Sequence, residues 1–123
     1  MTTRAKIVFN YEDIDSELSL EEVVTLITTG NRDSPEYGLT LMVLRNILDD
    51  PENFTSEKMY ALYMRNREDI SKASFYRIVK RLKNRGLILF DKKGKRYMPA
   101  ILFSNTLQKL AMAWERIVLK NSE

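Results

Sequence analysis

The chain has 123 residues, 44% apolar and 30% charged, with 4 glycines, 3 prolines, no cysteine and no histidine. That length makes one domain with enough material for its own core. The missing residue types exclude disulfide scaffolds, thiol and Ser-His catalysis, and metal sites built on Cys or His.

The net charge of +3 conceals a segregation, because residues 11–22 carry six acids and no base while residues 65–97 carry twelve bases against Glu68, Asp69 and Asp91. Such a basic stretch suits a polyanion, since each phosphate neutralised releases condensed counterions. It equally suits a solvated helix face. The longest apolar run, Met98 to Phe103, contains a proline and falls far short of the ~18 residues that span a bilayer. Met1 to Lys6 lack the apolar core of a secretory signal. A cytoplasmic protein without a membrane partner is expected.

In chain order, residues 4–11 read as a short strand or an extended arm, and the acidic segment follows. Asp13, Asp15 and Glu17 imitate the start of a calcium loop, but Leu18 stands where glycine is required and Val24 where the bidentate glutamate belongs. Ser19 with Glu22 forms a capping box for a first helix over 20–29, with Leu20, Val23, Val24 and Ile27 on one face and Gly30 as its stop. Ser34-Pro35 opens a second helix to Asp49, carrying Tyr37, Leu41, Leu44 and Leu48 at i, i+4, i+7 and i+11. Asp50 to Asn53 break it. Thr55 or Ser56 then caps a third helix that turns Met59, Leu62 and Tyr63 inward and ends near Asn66.

The fourth helix has the clearest signals: Ser71 is its N-cap, and Phe75, Ile78, Val79 and Leu82 form one apolar stripe. At ~100° per residue the opposite face carries Ala73, Arg77, Lys80 and Asn84, flanked by Tyr76 and Arg81, and is rich in hydrogen-bond donors. Gly86 ends the helix. Leu87 to Asp91 and Arg96 to Met98 read as a hairpin whose tip is cationic, and Pro99 stops the second strand. Asn105 with Gln108 opens a last helix to about Lys120, with the stripe Leu107, Leu110, Ala111, Trp114, Ile117 and Val118 and a second apolar face at Met112 and Leu119.

The stretch Ile70-Ser71-Lys72-Ala73-Ser74-Phe75-Tyr76-Arg77-Ile78-Val79-Lys80-Arg81-Leu82-Lys83-Asn84-Arg85-Gly86-Leu87-Ile88, followed by a basic hairpin, resembles the recognition helix and wing of winged helix-turn-helix regulators of the MarR and PadR types. The resemblance covers about residues 37–100. It departs from the pattern between Leu62 and Ile70, where the connection is longer than the usual short turn. It implies a mostly helical fold with a small β-hairpin wing and extra N-terminal and C-terminal helices. The corresponding divisions are an arm with the acidic segment over 1–18, the winged helix over 19–100, and a C-terminal helix over 101–123.

By that resemblance Ser71, Lys72, Ser74 and Arg77 contact DNA from the helix, and Lys92, Lys93, Lys95 and Arg96 do so from the wing. The donor face adds Tyr76, Lys80, Arg81 and Asn84, because donors on a helix match acceptors in the major groove. The expected function is sequence-specific binding of double-stranded DNA, as in a transcriptional regulator. The alternatives are a plasmid or viral replication or partition factor and a winged-helix protein-protein adaptor. No enzyme activity, metal or cofactor is expected. The last helix, apolar on two sides, is expected to hold a homodimer through Leu110, Met112, Trp114, Ile117 and Leu119, or else to pack on its own chain.

Overall fold

A computed structural model describes residues 11–28 and 34–121, apart from the side chain of Asp13. The arm expected over residues 4–11 (Tyr11 apart), the Gly30 stop and the Asp13 carboxylate lie outside the described residues. Among the described residues the elements are a 3-10 turn at Tyr11–Asp13, then α1 (Leu20–Ile27), α2 (Pro35–Asp49), β1 (Phe54–Thr55), α3 (Ser56–Arg65), α4 (Lys72–Asn84), β2 (Ile88–Asp91), β3 (Arg96–Pro99) and α5 (Leu102–Asn121). The fold is mostly helical with one small antiparallel sheet. The chain divides into two compact units, residues 1–46 and 47–123, with the boundary inside α2.

In the first unit the capping box of α1 forms as expected: Ser19 Oγ accepts the Glu22 N–H at 3.2 Å and the Glu22 carboxylate accepts the Ser19 N–H at 3.3 Å. Val24 and Ile27 are buried, and the buried Thr28 satisfies its hydroxyl on the Val24 carbonyl. Glu21 pairs with Arg45 of α2, a partly exposed ion pair worth about 0–1 kcal/mol. Ser34 Oγ accepts the Tyr37 N–H at the start of α2. Tyr37, Thr40, Val43, Leu44 and Ile47 are buried along α2, whereas Leu41 is half-buried and Leu48 exposed. The expected stripe is therefore rotated by one residue in two of its turns. Both rows, 37-41-44-48 and 37-40-44-47, follow helical spacing, and they differ only in which flank of Tyr37 is covered.

In the second unit the sheet order is β1-β3-β2, with β3 in the centre. The strand β1, which two residues are too few to announce in sequence, pairs Phe54 with Tyr97 and Thr55 with Arg96. On the other side Ile88 pairs with Pro99, Leu89 with Met98, Phe90 with Tyr97 and Asp91 with Arg96. A proline inside a central strand looks forbidden, but the Ala100 N–H bonds the Leu87 carbonyl at 2.9 Å, which makes Ile88–Pro99 a non-hydrogen-bonded pair. The Pro99 nitrogen thus points away from β2, to the side that β1 has already left. Thr55 Oγ1 caps α3 by accepting the Lys58 N–H, and Asn66 ends it, bonding the Tyr63 carbonyl with its N–H and the Leu62 carbonyl with its side chain. Asn66 then accepts the Asp69 and Ile70 N–H groups on its own carbonyl, which organises the long connection to α4.

The core of this unit is Ile47, Phe54, Met59, Leu62, Phe75, Ile78, Val79, Leu82 and Ile88. Helix α4 closes in a Schellman motif, with Leu87 N–H on the Leu82 carbonyl, Gly86 N–H on the Lys83 carbonyl and Gly86 at φ 78°. The Gly86 carbonyl then accepts the Phe103 N–H at 2.9 Å, so α5 begins at Leu102 with an external cap rather than at Asn105 with a side-chain cap. The Asn105 N–H lies inside the helix, on the Ile101 carbonyl.

A Cβ at Gly86 would stand 2.7 Å from the Phe103 nitrogen and 2.8 Å from Leu102 Cβ. Gly86→Ala is expected to destabilise the protein by about 2–4 kcal/mol, combining left-handed strain with a backbone clash. Urea unfolding followed by circular dichroism checks this, and a loss under about 0.5 kcal/mol, the size of an ordinary surface change, contradicts it.

Candidate nucleic-acid interface

Helix α4 and the β2–β3 hairpin both belong to the second unit and adjoin each other in the chain. The α4 stripe Phe75, Ile78, Val79 and Leu82 is buried, so the face it turns outward is fixed by packing. Lys72, Ala73, Arg77, Lys80 and Asn84 are exposed there, and Ser74, Tyr76 and Arg81 are half-buried. Ser71 is committed within the helix: its oxygen accepts the Ser74 N–H at 3.1 Å while its hydroxyl donates to Ser74 Oγ at 2.9 Å. The helix N-terminus is thereby capped by the Ser71–Ser74 pair and carries no acid in its first turn.

Tyr76 packs edge-on against Phe75 with ring centroids 5.2 Å apart and tilts against Tyr63 of α3 at 6.4 Å. Burial, with Tyr97 and Tyr60 nearby, raises its hydroxyl above the ordinary value, so it remains a neutral donor. Two aromatic residues of α3 extend this cluster. Tyr60 is 45% exposed, stacks obliquely on Tyr63 at 6.0 Å and receives the Lys72 ammonium 5.5 Å from its ring centre. Neither tyrosine of α3 is singled out by sequence as part of the site, since i, i+3 spacing on a short helix reads equally as core. Arg85, also missed, sits at the C-cap of α4, half-buried, and its guanidinium is lowered by burial and by the charge of Arg81.

On the hairpin, Lys92, Lys93 and Lys95 are exposed and Arg96 is half-buried. Arg96 has structural partners: its Nε donates to Asp91 Oδ2 at 3.2 Å and its guanidinium also donates to the Glu52 carbonyl. Asp91 organises the tip by accepting the Lys93 N–H at 3.1 Å, and a bond from the Gly94 N–H is the main reason its carboxyl lies below the ordinary value, with Lys93 and Arg96 adding to it. Lys95 adopts φ 50°, and its carbonyl accepts both the N–H and the hydroxyl of Ser56 at the start of α3. The tip is thus tied to the α3 N-terminus, with three lysine ammonium groups directed outward.

Because the folded carboxyl of Asp91 is depressed, its contribution is present above the unfolded value and lost as pH falls through the folded one. The Asp91 carboxyl is expected to titrate below 3.8 when followed by carbon chemical shift. Asp91→Ala is expected to speed hydrogen exchange at Lys93 and Gly94 while the amides of α4 stay protected. A midpoint at or above 3.8, or unchanged exchange at the tip, contradicts this.

No group of three or more acidic, histidine or cysteine side chains that could hold a metal occurs among the described residues, and no described helix is long and apolar enough to cross a membrane. No protein-family model matches the chain, and neither curated proteins nor solved structures give a match.

Proposed function

We propose that this protein is a winged helix-turn-helix that binds double-stranded DNA in a sequence-specific manner, as a transcriptional regulator does. The observation that carries this reading is two sets of exposed cations on one compact unit: Lys72, Arg77 and Lys80 along the outward face of α4, and Lys92, Lys93 and Lys95 at the tip of the hairpin that follows it in the chain. Two further points support it. The order α2, β1, α3, α4, β2, β3 with sheet order β1-β3-β2 is the order of a winged helix, including the short strand between its first two helices. Helix α4 contains no carboxylate, which suits a helix entering a groove between phosphates.

In this reading α4 lies in the major groove, where Arg77 can bond a guanine edge bidentately and the Ser74 hydroxyl can bond several bases. Ser71 acts as the helix cap, and Tyr76 offers a neutral phenol from the rim of the groove. The three tip lysines hold phosphates, which orients the protein without reading sequence. Arg96 holds the wing in shape, and Lys80, Arg81 and Asn84 line the part of α4 further from its N-terminus.

Selection from random duplex DNA, followed by fluorescence anisotropy at several salt concentrations, tests the proposal. The expected log-log slope is about −3 to −5 for each bound copy. Arg77→Ala should cost about 1–3 kcal/mol on the selected sequence with little effect on random DNA, whereas Lys92→Ala with Lys93→Ala should weaken both and flatten the slope by about one unit per lost contact. No binding at low salt, or equal losses on both DNAs for Arg77→Ala, overturns the assignment.

A further inference from the structure

Helix α5 has twenty residues and none of them is buried. Trp114 is 64% exposed, Leu110 65% and Ile117 45%. Its start is held by the rest of the unit through the Gly86 carbonyl and the half-buried Phe103, and beyond Phe103 every residue of the helix except the half-buried Ala113 is exposed. Along it, Phe103, Leu107, Leu110, Trp114, Ile117 and Asn121 recur at spacings of 4, 3, 4, 3 and 4, the a/d pattern of a two-helix seam. Ala111 and Val118 broaden that seam on one side. Met112 and Leu119 fall on the opposite side of the helix at ~100° per residue, so no single partner helix covers both sets.

We propose that α5 pairs with α5 of a second copy as an antiparallel coiled coil closed by these seam residues. The seam is symmetric about residue 112: Leu110 faces Trp114, Leu107 faces Ile117, and Phe103 faces Asn121. This register layers each large side chain on a different partner. A parallel pair would instead set the two Trp114 rings against each other in a single layer. At the dyad the flanking positions are Ala111 against Ala111 and Ala113 against Ala113, so small side chains let the helices approach where the Trp114–Leu110 layers are thickest. The only charge flanking the seam, Lys120, falls opposite Thr106, so no like charges oppose. A helix of ~30 Å with this exposed seam covers on the order of 1,000 Å² over two copies, the lower bound of a specific interface.

The pairing does not depend on what α4 binds, and its test needs no DNA. Sedimentation equilibrium of the full chain at tens of micromolar is expected to show a dimer. Leu110→Glu with Ile117→Glu should raise the dissociation constant at least about thirty-fold, the size of losing a buried anchor residue. Met112→Glu with Leu119→Glu, on the other side of the same helix, should leave the dimer intact. Thermal melts that match the wild type at low concentration establish that both variants fold. Since the chain has no cysteine, Ala113→Cys provides a unique thiol that should cross-link across the dyad, and Leu107→Cys should not. A wild-type chain that stays monomeric, equal losses from the two glutamate pairs, or cross-linking through Leu107→Cys alone each overturns the proposal. A monomer that partitions onto anionic phosphatidylserine vesicles assigns the helix to a lipid surface instead.

Discussion

The second unit depends on one left-handed residue. At Gly86 the chain stops being α4, becomes the approach to β2, and offers its carbonyl to the first turn of α5. Three elements therefore share one peptide, and the space beside it is filled by the backbone of Phe103 and the side chain of Leu102. Only a residue without a Cβ permits both the turn and the approach. The direction in which the hairpin leaves α4 and the point at which α5 departs both follow from that single conformation.

The cations divide by what holds them. Arg45, Lys58 and Arg96 have carboxylate partners that brace the fold, at Glu21, Asp50 and Asp91 respectively. Lys72 lies over the Tyr60 ring and Lys83 over Phe90, so each ammonium is positioned by an aromatic face while remaining accessible. Arg77, Lys80 and the tip lysines are exposed to solvent. An aromatic face orients a cation without neutralising it, whereas a carboxylate would cancel its pull on an anion. The cations that build the unit and those proposed to meet phosphate are thereby kept apart.

The hairpin shows how a short, charged element becomes rigid enough to present those lysines. Two four-residue strands with a lysine-rich turn are marginal in isolation. Here the turn is gathered by Asp91, Lys95 is fastened to the α3 N-terminus, Arg96 reaches the Glu52 carbonyl, and Phe90 packs on Tyr97 across the strands at 4.8 Å. The strand β1 adds a third strand on the other side of β3. The left-handed strain at Lys95, of order 1–2 kcal/mol, is offset by the two bonds its carbonyl accepts from Ser56.

The features legible in sequence were the local ones. Ser19, Ser34 and Ser71 cap helices with bonds that span three residues, and Gly86 ends α4 within two, so short-range chemistry announced these boundaries and the outward face of α4. The segregation of charge was legible for the same reason. Whatever depends on a distant partner was not: β1 exists because β3 pairs with it, Pro99 is tolerated because β1 stops short of it, and α5 starts early because the Gly86 carbonyl supplies its cap. The buried flank of α2, the bracing role of Arg96 and the Tyr60–Tyr63 cluster beside α4 belong to this second class. A helical stripe or a basic residue has the same spacing and the same charge whichever neighbour it meets, and only the folded chain decides which neighbour that is.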